Sequence, residues 1–430
     1  MKKLRVKNYN NKLKLRKMKK YLFLIGILLP IILLSCQPKS APLRVENWQW
    51  RGENRNGMFL NETDLLKEWS LDGPQLLWYF DGLGEGHTSA AISNGKVYIT
   101  GMHGDRLMLY VLDTATGRLL KEREVGREWN IDWNGTRSSV LINDGKLYIF
   151  NALGTLYCLD QTTLEEVWKI DLLAELGGRN LRHGMSENPL IVGDKIFMTP
   201  GGETHNMVAL DKKTGELIWS SPGMGEISSY CSPLFIDSYS VPIVVTNMSA
   251  HIIAFNADTG EMLWSYPQQR SWAGNNVNIP IYSDGMVFTT SGYGGGSMML
   301  RLTNGGRDIE PVWKNNVDNL KGSAIKVGNY LYLSGNQTRG WFCVDWRTGE
   351  IIYRIADAGE SSVIYADGML YSYNYRGIMK LIRPNPKKYE LVSSFEVTLG
   401  TDHHWAHPII HQGVLYIRRG NTLMAYKVKN

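Results

Sequence analysis

One short motif recurs along this chain and restricts its fold more than any other feature. Ala209-Leu210-Asp211 leads through Thr214-Gly215 to Trp219. Cys158-Leu159-Asp160 runs to Trp168, Ala254-Phe255-Asn256 through Thr259-Gly260 to Trp264, Cys343-Val344-Asp345 through Thr348-Gly349 to Tyr353, and Leu112-Asp113 through Thr116-Gly117 to Lys121. Each time the Asp or Asn stands eight residues before the last position. The pattern predicts a hairpin. An apolar strand ends at a short polar side chain that bonds the turn backbone. Glycine takes the positive φ of the turn, and the next strand delivers a large aromatic to one face.

A second signal precedes these hairpins: Asn94-Gly95, Asp144-Gly145, Gly193-Asp194, Asp284-Gly285, Gly328-Asn329, Asp367-Gly368 and Gln412-Gly413, each a tight turn entering a strand. An aromatic follows at 98, 148, 197, 288, 332, 371 and 416. One more unit fits between 197 and 288, around Pro242-Ile243-Val244-Val245. Eight units of about 45 residues, each with four short strands, predict an all-β, eight-bladed β-propeller. The last unit, ending at Leu423-Met424-Ala425-Tyr426, lacks one strand, and Leu76-Leu77-Trp78 stands unpaired before the first. That N-terminal strand is expected to complete the last blade and close a monomeric ring over residues 76–430. The 44 glycines, 14 tryptophans and 22 tyrosines suit such a turn-rich β fold and exclude a coiled coil or a disordered chain.

The net charge of +6 comes from one end. Ten of the 47 Lys and Arg lie in residues 1–35, where there is no Asp or Glu; the remainder sets 37 basic against 41 acidic residues. A nucleic-acid-binding surface is therefore not expected. Met18-Lys19-Lys20, with Met18 offering an alternative start, precedes an apolar run from Tyr21 to Leu34, and Leu33-Leu34-Ser35-Cys36 ends it. The run is shorter than the roughly 20 residues a spanning helix needs. The arrangement resembles a bacterial lipoprotein box: residues 1–35 are a signal peptide, Cys36 is the lipidation site, and 36–75 form a linker and N-terminal extension. The resemblance implies a cell-envelope protein held to a membrane by its lipid. Gln37-Pro38-Lys39-Ser40 carries no acidic export signal, which favours the periplasmic face of the outer membrane. The other cysteines, Cys158, Cys231 and Cys343, are odd in number, and buried thiols are expected.

The Asp-x-x-Thr-Gly-x-x-x-Trp repeats resemble the PQQ-like repeat family, the propellers of quinoprotein alcohol dehydrogenases and their relatives. Trp48-Gln49-Trp50-Arg51-Gly52 with Asn54-Arg55-Asn56-Gly57 looks like the opening of an exported branch of it. Its non-catalytic members include the lipoprotein B subunit of the outer-membrane β-barrel assembly machine. The resemblance implies one of two functions: an interaction scaffold or ligand-binding propeller, or a dehydrogenase holding PQQ with calcium and oxidising an alcohol or sugar. In the enzymes the quinone stacks between a tryptophan and two adjacent bonded cysteines. No adjacent cysteines occur here, and the chain lacks that branch's long insertions. A binding function without cofactor is the expectation. Trp168, Trp219, Trp264 and Trp313 are read as packing between blades.

Propeller ligand sites lie at a mouth of the central channel, where each innermost strand begins. Counting back from each turn predicts His87, Arg137, Glu187, Asn188, Asn278, Lys321, Glu360, Trp405 and His407 around that mouth. They suit an envelope protein partner, a polar small molecule or a glycan. No metal site is expected: His407 and His411 share a strand face but stand about 13 Å apart, and no acidic or Cys ligand adjoins them. Gly292-Tyr293-Gly294-Gly295-Gly296 precedes a strand rather than the helix a phosphate loop requires. No catalytic nucleophile with its base can be assigned.

Overall fold

A computed structural model describes residues 47–268, 274–322, 324–356 and 358–430. Cys36, the signal segment and Met18 lie outside the described residues. Eight sheets follow one another in chain order, seven antiparallel and of four strands, and one of five with a single added parallel strand. Blade 1 runs Ala91–Ser93, Lys96–His103, Arg106–Asp113, Leu119–Arg127 from the channel outward, and blades 2 to 7 repeat the order. Blade 8 takes its inner three strands, Ile409–His411, Val414–Arg419 and Thr422–Lys427, from the end of the chain. Its outermost strand is Leu76–Phe80, paired Trp78 to Ala425 and Phe80 to Leu423. The ring is closed as predicted.

The turn chemistry explains the repeat. Asp211 Oδ1 accepts the N–H groups of Lys213 and Thr214 at 2.7 and 3.0 Å, and Gly215 N donates to Asp211 O at 2.8 Å. Asp160, Asp345 and Asp113 cap their turns in the same way. In five blades the inner turn has positive φ at both central residues, as at Asp144 (49°) and Gly145 (74°), and in blades 3 and 6 at the first alone, Gly193 (59°) and Gly328 (58°); both geometries match strand twist.

In one respect the strands depart from simple alternation. In all eight blades the register shifts between the third strand and the outermost one, close to the last position of the motif; in blade 3 the shift lies between Ala209 and Leu210. A bulge adds local twist, and the tryptophan ring turns onto the next blade. The indole N–H then donates to a backbone carbonyl there: Trp78 to Thr114, Trp168 to Lys212, Trp219 to Ala257, Trp264 to Gly306 and Trp313 to Trp346, at 2.9–3.2 Å. The motif glycine of that next blade lies under the ring. A Cβ on Gly260 would stand 2.6 Å from Trp219 Cε3, and one on Gly215 2.6 Å from Trp168 Cε3. The core accordingly lies between blade faces: Val208 and Leu210 of blade 3 pack with Tyr148 and Cys158 of blade 2. Cys158, Cys231 and Cys343 are free and buried.

Candidate functional site

The inner ends of the blades are stapled by small hydroxyls. Ser89 N donates to Ser139 Oγ, Ser139 N to Asn188 Oδ1 and Asn188 N to Ser232 Oγ, at 2.7–2.9 Å. Ser89 Oγ reaches His407 O of blade 8 at 2.8 Å. These bonds hold neighbouring innermost strands at a fixed spacing.

The segment from Trp48 to Phe59 occupies the channel from the side opposite this mouth. Trp48 bridges Ile142 at the inner strand of blade 2, and Met58–Phe59 adds a parallel fifth strand to the inner edge of blade 7. Between them Arg55 donates to the Pro189 and Asn188 carbonyls at 2.6 and 2.8 Å. Arg51 Nη1 donates to His407 Nδ1 at 3.1 Å, so the other ring nitrogen carries the proton and gives it to Lys321 O at 2.7 Å. Burial lowers the Arg51 and Arg55 guanidinium groups to about 9 and about 10. The sequence marked Trp48 to Gly57 as a motif but not its destination, because its partners come from blades distant in the chain.

Above this plug opens a cavity of about 870 Å³, with Trp50 in its wall. Of the predicted residues, His87, Arg137, Asn188, Lys321, Glu360, Trp405 and His407 line it. Glu187 and Asn278 do not. The Glu187 carboxylate turns back to accept the Thr199 N–H at 2.9 Å and the Thr199 hydroxyl. Burial raises it to about 7. Asn278 donates to Thr290 O and Asn319 O at 2.8 and 2.6 Å and accepts the Gly322 N–H at 2.7 Å. Both side chains tie the inner ring together and do not line the cavity. Asn188 reaches the wall with its carbonyl oxygen already spent on Ser139.

The lip was not legible in the count back from each turn. Asp132, Trp133, His183 and His403 come from blade-to-blade crossings, and Tyr293, Asn336 and Tyr375 from hairpin tips. Loop length and the exposed aromatics were the available signals. Trp133 is 51% exposed and has φ of +45°. Tyr230 (+67°) and Tyr293 (+55°) share that region of backbone space, and all three line the cavity. Bulky side chains avoid positive φ, and such strain gathers at binding sites. Arg137 Nη2 holds the Trp133 loop through the Asp132 and Trp133 carbonyls at 3.0 and 2.6 Å. His183 pairs with Asp132 at 2.8 Å. His403 stacks on Trp405 at 4.1 Å, and Trp133 lies 5.3 Å from Trp405.

Charge and hydrogen-bonding capacity converge inside. Lys321 Nζ sits 4.0 Å from the Trp405 centroid and 4.9 Å from that of Tyr375. Burial pushes its ammonium down to about 8, against the pull of Glu360. Burial raises the Glu360 carboxyl above its ordinary value. His87 is held well below its ordinary value by burial, then by Arg418, Lys321, Arg137 and His403. Among the described residues, Arg137 Nη1, Glu360 Oε1 and both ring nitrogens of His87 are buried without a hydrogen-bond partner.

Calcium calls for about six to eight oxygen ligands. Asp132 and Glu360 are the carboxylates of the wall, and Asp132 is engaged by His183. Among the described residues no three His, Cys, Asp or Glu are grouped to hold a metal ion. None of the three described cysteines lies in the wall.

Known proteins resemble the chain in the same terms. Outer membrane protein assembly factor BamB of Shewanella oneidensis is 25% identical over 250 residues, 56% of this chain and 53% of that protein. Quinohemoprotein alcohol dehydrogenase ADH IIB of Pseudomonas putida is 24% identical over 155 residues, 34% of this chain and 22% of that protein. The match thus spans about half or less of these relatives' own length. The crystal structure of BamB from Moraxella catarrhalis superposes with a TM-score of 0.57 at 15% identity, covering 76% of this chain and 95% of that one, a likeness of fold. A family model described as outer membrane protein assembly factor BamB matches residues 154–385, more than half of the 430. With its eight blades, five of which set a repeat tryptophan on the next, the chain belongs to this family of PQQ-like repeat β-propellers.

Proposed function

We propose that this protein is a bacterial cell-envelope propeller that works by binding, as a scaffold for an envelope protein or a receptor for a polar ligand, without catalysis and without a quinone cofactor. Its lipid anchor is Cys36, and it faces the periplasm from the outer membrane. The relatives named for outer-membrane assembly support the envelope and scaffold role. The observation that carries the binding function is the one-ended cavity. Residues 48–59 fill the channel from one side, and the other side opens into about 870 Å³ of aromatic and polar wall, within the size range of ligand pockets.

The rival is a quinoprotein alcohol or sugar dehydrogenase, favoured by the quinohemoprotein relative. Titrating the full-length protein with PQQ and calcium, followed by an alcohol and sugar panel with an acceptor dye, separates the two. The expected result is no saturable binding and no dye reduction. Micromolar binding with turnover would replace the binding function by an enzyme.

A further inference from the structure

We propose that the cavity binds an acidic glycan, with a sugar face resting on Trp133 and a uronate carboxylate beside Lys321 and Arg137. This rests on the binding function proposed above and names its ligand class. Three independent features lead to it.

The first is the platform. Trp133 is half exposed, strained at φ +45° and held in place by Arg137 and the neighbouring His403–Trp405 stack. A rigid flat apolar face at a cavity lip suits the C–H face of a pyranose, because it offers contact area at low entropic cost.

The second is the pattern of unspent hydrogen-bonding groups. Arg137 Nη1 is an unpaired donor and Glu360 Oε1 an unpaired acceptor, both buried in the wall. Leaving such groups unpaired costs free energy. Sugar hydroxyls donate and accept from one atom and satisfy both kinds at once. The surplus of cationic groups then selects a charged sugar. Lys321, Arg137 and Arg182 line the wall against Glu360 and the His183-paired Asp132.

The third is length. A second depression of about 440 Å³ shares Asp132, Trp133 and His403 with the cavity and continues past them to Ile131, Glu85 and Asp402. A ligand stacked on Trp133 can therefore extend over the lip, while Glu85 and Asp402 there oppose a further uronate, so the charged sugar that is recognised lies inside, beside Lys321 and Arg137. An acidic peptide fits less well. Peptides add to open strand edges, and the residues of this wall all lie outside strands.

The test is isothermal titration of the detergent-solubilised full-length protein with three probes: trigalacturonate, uncharged maltotriose and triglutamate. Trigalacturonate is expected to bind about tenfold more tightly than maltotriose, and triglutamate to give no saturable heat. Trp133→Ala should weaken trigalacturonate by about tenfold. Lys321→Met should bring it to the level of maltotriose, and Lys321→Arg should retain the preference, which separates charge from folding. Equal binding of the two sugars, no binding of trigalacturonate, or triglutamate binding as tightly would each overturn the proposal. Those failures leave the non-catalytic binding function standing as long as the quinone titration stays silent; turnover with PQQ removes that function whatever the sugars do.

Discussion

Gly260→Ala should destabilise this protein far more than Gly145→Ala, although the two glycines have nearly the same backbone, with φ of +77° and +74°. At Gly145 nothing lies within 4 Å of the added Cβ. The cost there is the left-handed penalty of about 1–2 kcal/mol, partly offset by about 0.4–1 kcal/mol from a stiffer unfolded chain. At Gly260 the Cβ would stand 2.6 Å from Trp219 Cε3 and 2.9 Å from Cδ2. The ring cannot slide freely, because it is buried and its N–H is bonded to Ala257 O at 3.1 Å. Overpacking adds about 1–3 kcal/mol, and a lost hydrogen bond about 1 kcal/mol more. Gly260→Ala should therefore cost about 3–5 kcal/mol against about 1 for Gly145→Ala. Urea unfolding followed by circular dichroism, with matched slopes, gives both values. The cycle is completed with Trp219→Ala, which by itself costs about 3–5 kcal/mol. In that background Gly260→Ala should fall to the cost of Gly145→Ala. Equal costs for the two glycines, or a Gly260 cost undiminished without Trp219, would show that the blades are not locked by tryptophan on glycine.

Further outcomes follow from other parts of the molecule. Glu187 is raised to about 7 by burial, so between its ordinary 4.5 and 7 the native state holds a proton that the unfolded state has released. Its contribution is present at pH 4.5 and lost as pH rises to 7, on the order of 3 kcal/mol. Glu187→Gln should flatten the pH–stability profile in that window relative to the unaltered protein, measured by urea midpoints; parallel profiles would refute it. Deleting residues 76–80 should lower the melting temperature strongly, because it strips the outermost strand from blade 8. An unchanged melting temperature would mean that closure does not depend on that strand. Cys36→Ser should release the protein from the membrane fraction after a salt wash; if it stays, the anchor lies elsewhere.

The sequence by itself determined the repeat, the number of blades and the closing strand. Those depend on local chemistry. Asp211 and Thr214 specify their own turn, and a chain one strand short must borrow an edge. Of the nine residues counted back from the turns, seven line the cavity. Tertiary structure decided the directions and the company these residues keep. Glu187 and Asn278 stand three residues before inner strands, and they turn toward Thr199 and Gly322 because a buried carboxylate or amide must find hydrogen bonds where neighbouring backbone offers them. Gly260 reads as a turn glycine in sequence; only packing shows Trp219 lying on it. Arg51 meets His407 across 356 positions of the chain. Trp133, His403 and Lys321, on the crossings into blades 2, 8 and 6, become one site only when those blades close around a common axis, a proximity that no local pattern encodes.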